Sequence, residues 1–155
     1  MITLTNTQRK IVVNTGLLHA AAQAMLTSLE YADVDLGILL CGKDRMRSYN
    51  AEYRHKDYPT DVLSFPFHTE LKPGERIHPA SPDEANLGDI ILCPEIIEKK
   101  RHEWDRTFDH HCTVLIAHAI AHLLGHDHED DEDYLRMQEL ENKLLQAAGI
   151  TPDIV

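Results

Sequence analysis

The chain has 155 residues, a length that suits one domain over residues 1–155 with its own buried core. Hydrophobic residues make up 43% and charged residues 26%, which is typical of globular proteins and excludes a disordered or low-complexity chain. The formal net charge of −11 argues against binding nucleic acid over the whole surface, because basic side chains must neutralise the phosphates. Clusters of arginine and lysine still permit a local basic groove.

The sequence shows neither an export signal nor a membrane span. The N-terminus lacks the charged and apolar regions of a signal peptide. The most apolar stretch, residues 114–124, is too short to cross a bilayer and carries two histidines, which favours a buried helix. The three cysteines form no C-x-x-C pair and indicate buried thiols rather than disulfides or a thiolate zinc site. We therefore predict a cytoplasmic protein without a membrane anchor.

Hydrophobic periodicity and turn residues predict alternating strands and helices in the first half of the chain. In chain order these are a strand or hairpin over residues 2–5 and 10–13, a helix over 16–31, a strand covered on both faces over 36–41, a helix over 43–53 and a strand over 62–65. After a long surface loop at 67–86 come a strand over 87–92, helices over 94–104 and 109–124, and a last helix over 132–148. The pattern predicts a single α+β domain with a small mixed four-stranded sheet and about five helices.

Residues at the helix ends support these boundaries. Asn14 or Thr15 can cap the first helix, because a short polar side chain accepts hydrogen bonds from free backbone N–H groups. Pro94 suits the first turn of a helix, and Gly125 can adopt the left-handed conformation that ends one. Acidic residues over 129–133 favour the positive end of the last helix dipole, so we interpret them as capping residues rather than metal ligands.

Two histidines, His118 and His122, lie four residues apart in the helix predicted over residues 109–124. This spacing places them about 40° apart around the helix axis and about 6 Å apart along it, so both imidazoles can reach one ion. Gly125 lets the chain turn back, so that His126, Asp127 or His128 can supply a further ligand. Buried imidazole nitrogens need a partner, and a metal ion satisfies both rings.

Nitrogen ligands favour zinc, with copper or nickel as alternatives. With three protein ligands the fourth position holds water, whose pKa bound zinc lowers to about 7, so the site indicates hydrolysis. A fourth ligand from His126 or Asp127 would instead make a closed, structural site. In zinc metalloproteases a glutamate that serves as general base directly follows the first histidine, but here that residue is Ala119. The sequence therefore favours a hydrolytic substrate other than protein.

Three segments of the chain resemble the YbeY-type endoribonucleases, bacterial rRNA maturation factors with a zincin-like metal helix. The segment from His118 to His128 resembles the family pattern His-Gly-x-x-His-Leu-x-Gly-Tyr-Asp-His, residues 50–66 resemble its central motif, and residues 87–90 resemble its third motif. The resemblance implies that His118, His122 and His128 hold one zinc ion and that Arg54 is a functional arginine beside it. The chain departs from the family pattern at Ala119, usually glycine, and at His126, usually tyrosine, which adds an imidazole that could compete for the metal.

The resemblance also implies a function. It predicts a zinc-dependent endoribonuclease that acts on single-stranded rRNA in 16S rRNA 3′-end maturation and ribosome quality control, with the small ribosomal subunit as a partner. The Arg54 guanidinium can hold a phosphodiester with two hydrogen bonds and stabilise charge that develops on its oxygens. The nucleophile is either a zinc-activated water or the RNA 2′-hydroxyl, and no general base is assigned.

Two other functions remain open at the level of sequence. One is a noncatalytic, zinc-stabilised ribosome-assembly factor that binds RNA or a basic ribosomal protein, which the acidic composition supports. The other is a metal-dependent hydrolase with a non-RNA substrate. Tyr53 and Phe65 can stack on RNA bases or belong to the core, and Asp89 can orient a ligand histidine or occupy a turn after Gly88. The cleft is expected between the metal helix and the strand near residues 59–66.

Overall fold

Four strands form one mixed sheet in the computed structural model, which describes residues 1–150. The strands are β1 (Ile2–Asn6), β2 (Asp35–Leu40), β3 (Val62–Pro66) and β4 (Asn86–Leu92), in the spatial order β1-β2-β4-β3. β1, β2 and β4 run parallel, and β3 pairs antiparallel with β4 at one edge. The prediction of a mixed four-stranded sheet is confirmed. The predicted domain also includes residues 151–155, which lie outside the described residues.

The described residues contain five α-helices, as predicted. They are α1 (Thr15–Ser28), α2 (Lys43–Arg54), α3 (Pro94–Lys100), α4 (Phe108–Leu123) and α5 (Asp131–Ala147). Short 3₁₀ segments occur at Pro82–Glu84 and Arg101–Trp104. α1, α4 and α5 pack on one face of the sheet and form the main core, whereas α2 covers part of the other face with a smaller apolar cluster. The α+β fold class is therefore confirmed, and none of these helices is long and apolar enough to cross a membrane.

The central strand β2 is fully covered on one face only. Its side chains alternate between the two faces of the sheet, so Leu36, Ile38 and Leu40 enter the main core, at 2% exposure or less. Leu39 packs against the smaller cluster and is only half-buried. The prediction that this strand is covered on both faces was therefore wrong for the face that carries α2.

A β-bulge in β4 replaces the turn that the sequence indicated after Gly88. Asp35 and Leu36 of β2 pair with Asn86 and Gly88, so Leu87 is an extra residue in the ladder. Gly88 has a φ of 123°, and a β-carbon there would collide with the carbonyl oxygen of Phe65. The bulge shifts the alternation of side chains, and both Leu87 and Ile90 therefore enter the main core.

The predicted strand or hairpin at residues 10–13 is not formed. The buried side chain of Gln8 accepts a hydrogen bond from the Ile11 N–H at 3.0 Å and donates one to the Ile11 carbonyl at 2.8 Å, which closes a loop. Val12 is 97% exposed, so the weak alternation of this segment does not reflect burial. Asn14 caps α1 as predicted, because its side chain accepts from the Leu17 N–H at 3.1 Å.

The helix predicted over residues 94–104 is divided into two parts. α3 ends at Lys100 and continues as the 3₁₀ segment Arg101–Trp104, which terminates at Asp105 with a left-handed φ of 51°. The long loop at residues 67–86 is confirmed except for its 3₁₀ turn, and it is packed against the protein. Within it, Ile77 is buried and donates its N–H to the Tyr31 hydroxyl at 3.1 Å.

The three cysteines are buried free thiols, as predicted from their spacing. Burial raises the pKa of Cys41 to about 11 and that of Cys112 to about 12, so both thiols stay protonated at neutral pH. Burial likewise raises the pKa of Cys93. These residues therefore serve as small apolar side chains in the two clusters.

α4 and α5 end in the same backbone motif. At the end of α4 the N–H of Gly125 bonds to the His122 carbonyl at 3.0 Å, and the N–H of His126 bonds to the Ala121 carbonyl at 3.0 Å. These two hydrogen bonds define a Schellman motif, in which glycine occupies the left-handed position. Gly149 completes the equivalent motif after α5, and the φ angles of Gly125 and Gly149 are 92° and 82°.

The two glycines provide a matched test of this geometry. Gly149→Ala adds a β-carbon in open space, so it should cost only the left-handed backbone penalty of about 1 kcal/mol. Gly125→Ala also brings the β-carbon against the backbone carbonyl of Leu71 and should cost at least twice as much. Urea unfolding of both variants measures the difference, and equal losses would show that the contact with Leu71 relaxes without cost.

Candidate metal centre

Helix α4 carries two of the three histidines. It begins where the Thr107 hydroxyl accepts a hydrogen bond from the His110 N–H at 3.1 Å, and its apolar face is buried in the main core. His122 lies one helical turn after His118, and the ring centroids of the two residues are 4.5 Å apart. Their Nε2 atoms face each other at 3.0 Å. The predicted convergence of these two side chains is therefore present.

The third histidine reaches this point through the turn at Gly125. His128 has its ring centroid 5.2 Å from that of His118 and 5.3 Å from that of His122. One ring nitrogen from each histidine lies within 4.8 Å of the others, and the three residues form the one metal-binding group found among residues 1–150. The donor atoms of a tetrahedral zinc site lie about 3.3 Å apart, given Zn–N bonds of about 2.0–2.1 Å. The spacing of the three rings therefore fits a metal ion.

Hydrogen bonds to the opposite ring nitrogens determine where the protons lie. The Nδ1 of His122 is 2.9 Å from the His126 carbonyl oxygen, and the Nδ1 of His118 is 2.8 Å from a carboxylate oxygen of Glu141. A carbonyl or carboxylate oxygen only accepts, so each Nδ1 must donate. In the neutral rings both Nε2 atoms therefore present lone pairs to each other, an arrangement that a cation between them stabilises.

The electrostatic surroundings keep His122 neutral. Burial lowers its pKa below the ordinary value, and the neighbouring His118 and His128 lower it further. A histidine must be neutral to bind a metal ion, because the ligand atom needs its lone pair. The burial of α4 thus favours the protonation state that metal binding requires.

His126 does not belong to the histidine group. Its ring lies near Pro73 and Gly74 of the long loop and near Arg136 of α5. Its Nδ1 is buried without a hydrogen-bond partner among residues 1–150, and burial lowers its pKa. The His126 backbone carbonyl orients His122, whereas the His126 imidazole lies in a separate pocket with Pro73, Gly74 and Arg136. The concern that a fourth imidazole closes the site is therefore not supported by the geometry.

Asp127 lies at the histidine cavity but outside the metal-binding group. Its carboxylate accepts a hydrogen bond from the His128 N–H at 2.8 Å, which holds the backbone just before the third histidine. Ala119 also lines the cavity, at the position where a metalloprotease would carry its glutamate. The described structure therefore presents three histidines that could hold a metal ion, with an accessible space beside them.

The histidines open into a cavity of about 460 Å³ between α4 and β3. Residues important for its chemistry are Arg54, Ser64, His118, His122, Asp127 and His128. The cleft predicted between the metal helix and the strand near residues 59–66 is thus present. Arg54, which lies 64 residues before His118 in the sequence, is brought to the same cavity as the histidines.

The end of α2 positions Arg54. The helix ends at Arg54, and His55 follows with a left-handed φ of 60°. Asn50, 1% exposed, donates its Nδ2 N–H to the Tyr58 carbonyl at 2.7 Å and so holds the chain that leads to β3. Arg54 is exposed, and no ion pair within the described part of the chain engages its guanidinium. The side chain is therefore available to a ligand in the cavity.

Glu141 is the site residue that sequence reasoning missed. It comes from α5, 23 residues after His118, and no local motif links the two positions. Conversely, Asp89 does not orient a histidine, because it lines a groove on the opposite face of the sheet with Gly37. Tyr53 and Phe65 line that same groove, with ring centroids 4.9 Å apart, and neither lines the histidine cavity.

Comparisons with known proteins agree with this geometry. A family model described as endoribonuclease YbeY matches residues 3–149. A protein of that name from Neisseria gonorrhoeae is 39% identical over 120 residues, which cover 77% of this chain and 67% of the relative. Another from Carboxydothermus hydrogenoformans is 35% identical over 152 residues, which cover 97% of this chain and 99% of the relative.

A solved structure has the same fold. The solution structure of TM1509 from Thermotoga maritima superposes with a TM-score of 0.58 and covers 94% of this chain and 90% of that protein, at 24% identity. The sequence matches extend over the histidine segment and the motif around Arg54. This chain therefore belongs to the endoribonuclease YbeY family.

Proposed function

We propose that this protein is a zinc-dependent endoribonuclease that cuts single-stranded RNA. The observation that carries the proposal is the single cavity shared by Arg54 and the three histidines. A guanidinium beside a metal site suits a phosphodiester, because it binds phosphate oxygens bidentately and metals stabilise charge on the same group. The curated relatives are named endoribonucleases, which supports RNA as the substrate class.

The donor set supports zinc as the ion. Three imidazole nitrogens suit zinc better than magnesium or calcium, which prefer oxygen ligands. When bound, zinc supplies a Lewis acid and a water of lowered pKa. His118, His122 and His128 hold the ion, and the cavity beside them leaves room for a phosphate group.

Cleavage of the phosphodiester needs a group that stabilises the phosphate and a nucleophile that attacks it. Arg54 orients the scissile phosphate and stabilises the negative charge that develops on its oxygens. Two nucleophiles, water and the RNA 2′-hydroxyl, fit the arrangement. Attack by water breaks the P–O bond and leaves one product with a phosphate end and the other with a hydroxyl end. Attack by the RNA 2′-hydroxyl leaves a 2′,3′-cyclic phosphate instead. The ends of the products distinguish the two routes.

We place this activity in 16S rRNA 3′-end maturation and ribosome quality control in the cytoplasm, with the small ribosomal subunit as partner. The net charge of −11 favours contact with a basic ribosomal protein as a way to deliver the enzyme to rRNA. The same charge also suits a noncatalytic assembly factor whose zinc only stabilises the fold. Cleavage assays on purified variants separate the two functions.

The first prediction from the proposed function concerns the residues that bind zinc. His128→Ala should lose most of the bound zinc, whereas His126→Phe should keep one zinc ion per chain, because the His126 ring lies outside the histidine group. Elemental analysis of protein purified without chelators measures both contents. Wild type without zinc would contradict the choice of metal, and zinc loss in His126→Phe would contradict the three-histidine site.

The second prediction concerns Glu141. Glu141→Gln should weaken zinc binding by about 10-fold and Glu141→Ala by up to about 100-fold, because the carboxylate that orients His118 is weakened or removed. Glu139→Gln, on the side of α5 near His126, is the matched control and should bind zinc like wild type. Competition with a chromophoric chelator measures the affinities, and unchanged affinity in Glu141→Ala would refute the orienting role.

The third prediction concerns Arg54. Arg54→Ala should fold normally and keep its zinc, but cut a single-stranded RNA that carries the 16S rRNA 3′-end at least about 100-fold more slowly, because an electrostatic contact to the reacting group is lost. His118→Ala should be inactive through loss of the metal. Gel analysis of labelled RNA measures the rates, and equal rates in wild type and both variants would indicate a contaminating nuclease and a noncatalytic protein.

A further inference from the structure

A second groove meets the metal cavity on the side of α5. It lies between α5 and the 3₁₀ segment Arg101–Trp104 and has a volume of about 600 Å³. His118 and His128 line both this groove, which we call the α5 groove, and the cavity that contains Arg54. The two spaces are therefore adjacent at the histidines, and an RNA strand that passes the histidines can contact both.

The α5 groove combines cationic and aromatic side chains. Lys100 and Arg106 line it, as do Trp104 and Tyr134, which are 59% and 50% exposed. The Tyr134 ring centroid is 6.2 Å from that of His128, so the aromatic surface begins beside the metal site. Exposed aromatic rings next to basic groups are the combination that binds single-stranded nucleic acid, because bases stack on the rings and phosphates contact the cations.

The acidic residues of the groove are largely engaged with other groups. Glu141 accepts the hydrogen bond from His118 at 2.8 Å, and Asp61 lies 3.7 Å from the Lys100 amine. Glu103 is the third carboxylate that lines the groove within residues 1–150. The groove thus places two cationic side chains, Lys100 and Arg106, among three carboxylates, so the exposed aromatic rings are its main surface for a bound strand.

A buried histidine on the groove wall positions Arg106. His111 is 3% exposed, and its Nδ1 lies 3.2 Å from an Nη1 of Arg106. A guanidinium only donates, so Nδ1 accepts and the proton of the neutral ring lies on Nε2. That Nε2 is buried and has no hydrogen-bond partner in the described part of the chain. The bond at Nδ1 holds the Arg106 guanidinium at the groove wall.

We propose that the α5 groove is the subsite for the RNA nucleotides on one side of the scissile phosphate. Bases stack on Tyr134 and Trp104, and backbone phosphates contact Lys100 and Arg106. Arg54 holds the scissile phosphate on the other side of the histidines. This inference rests on the proposed endoribonuclease function and extends it, because stacking on both rings requires unpaired bases and so explains selection of single strands.

The fluorescence of Trp104 reports directly on RNA binding in the α5 groove, because Trp104 is the only tryptophan of the chain. An octamer of uridine titrated into zinc-loaded protein should quench the Trp104 fluorescence when a base stacks on the indole. Tyr134→Ala should weaken this binding by about 5- to 100-fold, as expected for the loss of one stacked base, and Tyr134→Phe should restore it. Zinc content is measured for each variant, since Tyr134 lies near His128.

Charge is tested with a matched pair of lysine variants. Lys100→Ala should weaken octamer binding and lower its dependence on salt, because one phosphate contact is lost. Lys143→Ala, on the side of α5 near His126, removes the same charge outside the groove and should bind like wild type. Arg54→Ala should keep the fluorescence quench while losing cleavage, because Arg54 lies in the other cavity.

The outcomes separate the two proposals. Wild type that cuts RNA but shows no Trp104 quench, or a quench that titrates like wild type in both Tyr134→Ala and Lys100→Ala, would overturn the subsite and leave the endoribonuclease function intact. Wild type that neither binds nor cuts RNA would overturn both. Loss of binding in Tyr134→Ala at full zinc content, with recovery in Tyr134→Phe, would establish the groove as the RNA subsite.

Discussion

The reversal of the chain at Gly125 is the constraint on which the metal centre depends. A left-handed residue at this position turns the backbone so that the His126 carbonyl accepts a hydrogen bond from the His122 ring and His128 approaches both histidines of α4. The same turn packs against the backbone of Leu71, so the long loop is anchored beside it. Helix α4 alone supplies only two of the three histidines of the candidate metal site, and the position of the third follows from how that helix ends.

The site also depends on how the polar groups of a largely apolar helix are satisfied. His118 and His122 each donate one hydrogen bond from Nδ1, to Glu141 and to the His126 carbonyl, and direct the lone pairs of their Nε2 atoms at each other. Without a cation these lone pairs repel, whereas burial lowers the pKa of His122 and disfavours relief by protonation. The arrangement therefore suits a metal ion held between the two rings.

Sequence reasoning recovered the elements and the residues that local patterns determine. The paired histidines, the left-handed Gly125 and the cap at Asn14 each depend on a few neighbouring residues, and all three have the predicted geometry. Glu141 was missed because only tertiary packing brings α5 beside α4. The predicted strand at residues 10–13 failed because the side chain of Gln8 supplies hydrogen bonds that would otherwise come from a neighbouring strand.

The bond between Glu141 and His118 has a consequence for the C-terminal helix. Because α5 supplies the carboxylate that orients His118, an ion bound by the folded site would also stabilise the docked position of α5, by an amount that grows with free metal concentration. If the three histidines bind an ion, metal supply would govern how often this helix detaches locally from the core. Helix α5 also forms one wall of the α5 groove. A scarcity of metal would therefore lower the occupancy of the histidine site and also the fraction of time for which the α5 groove is formed.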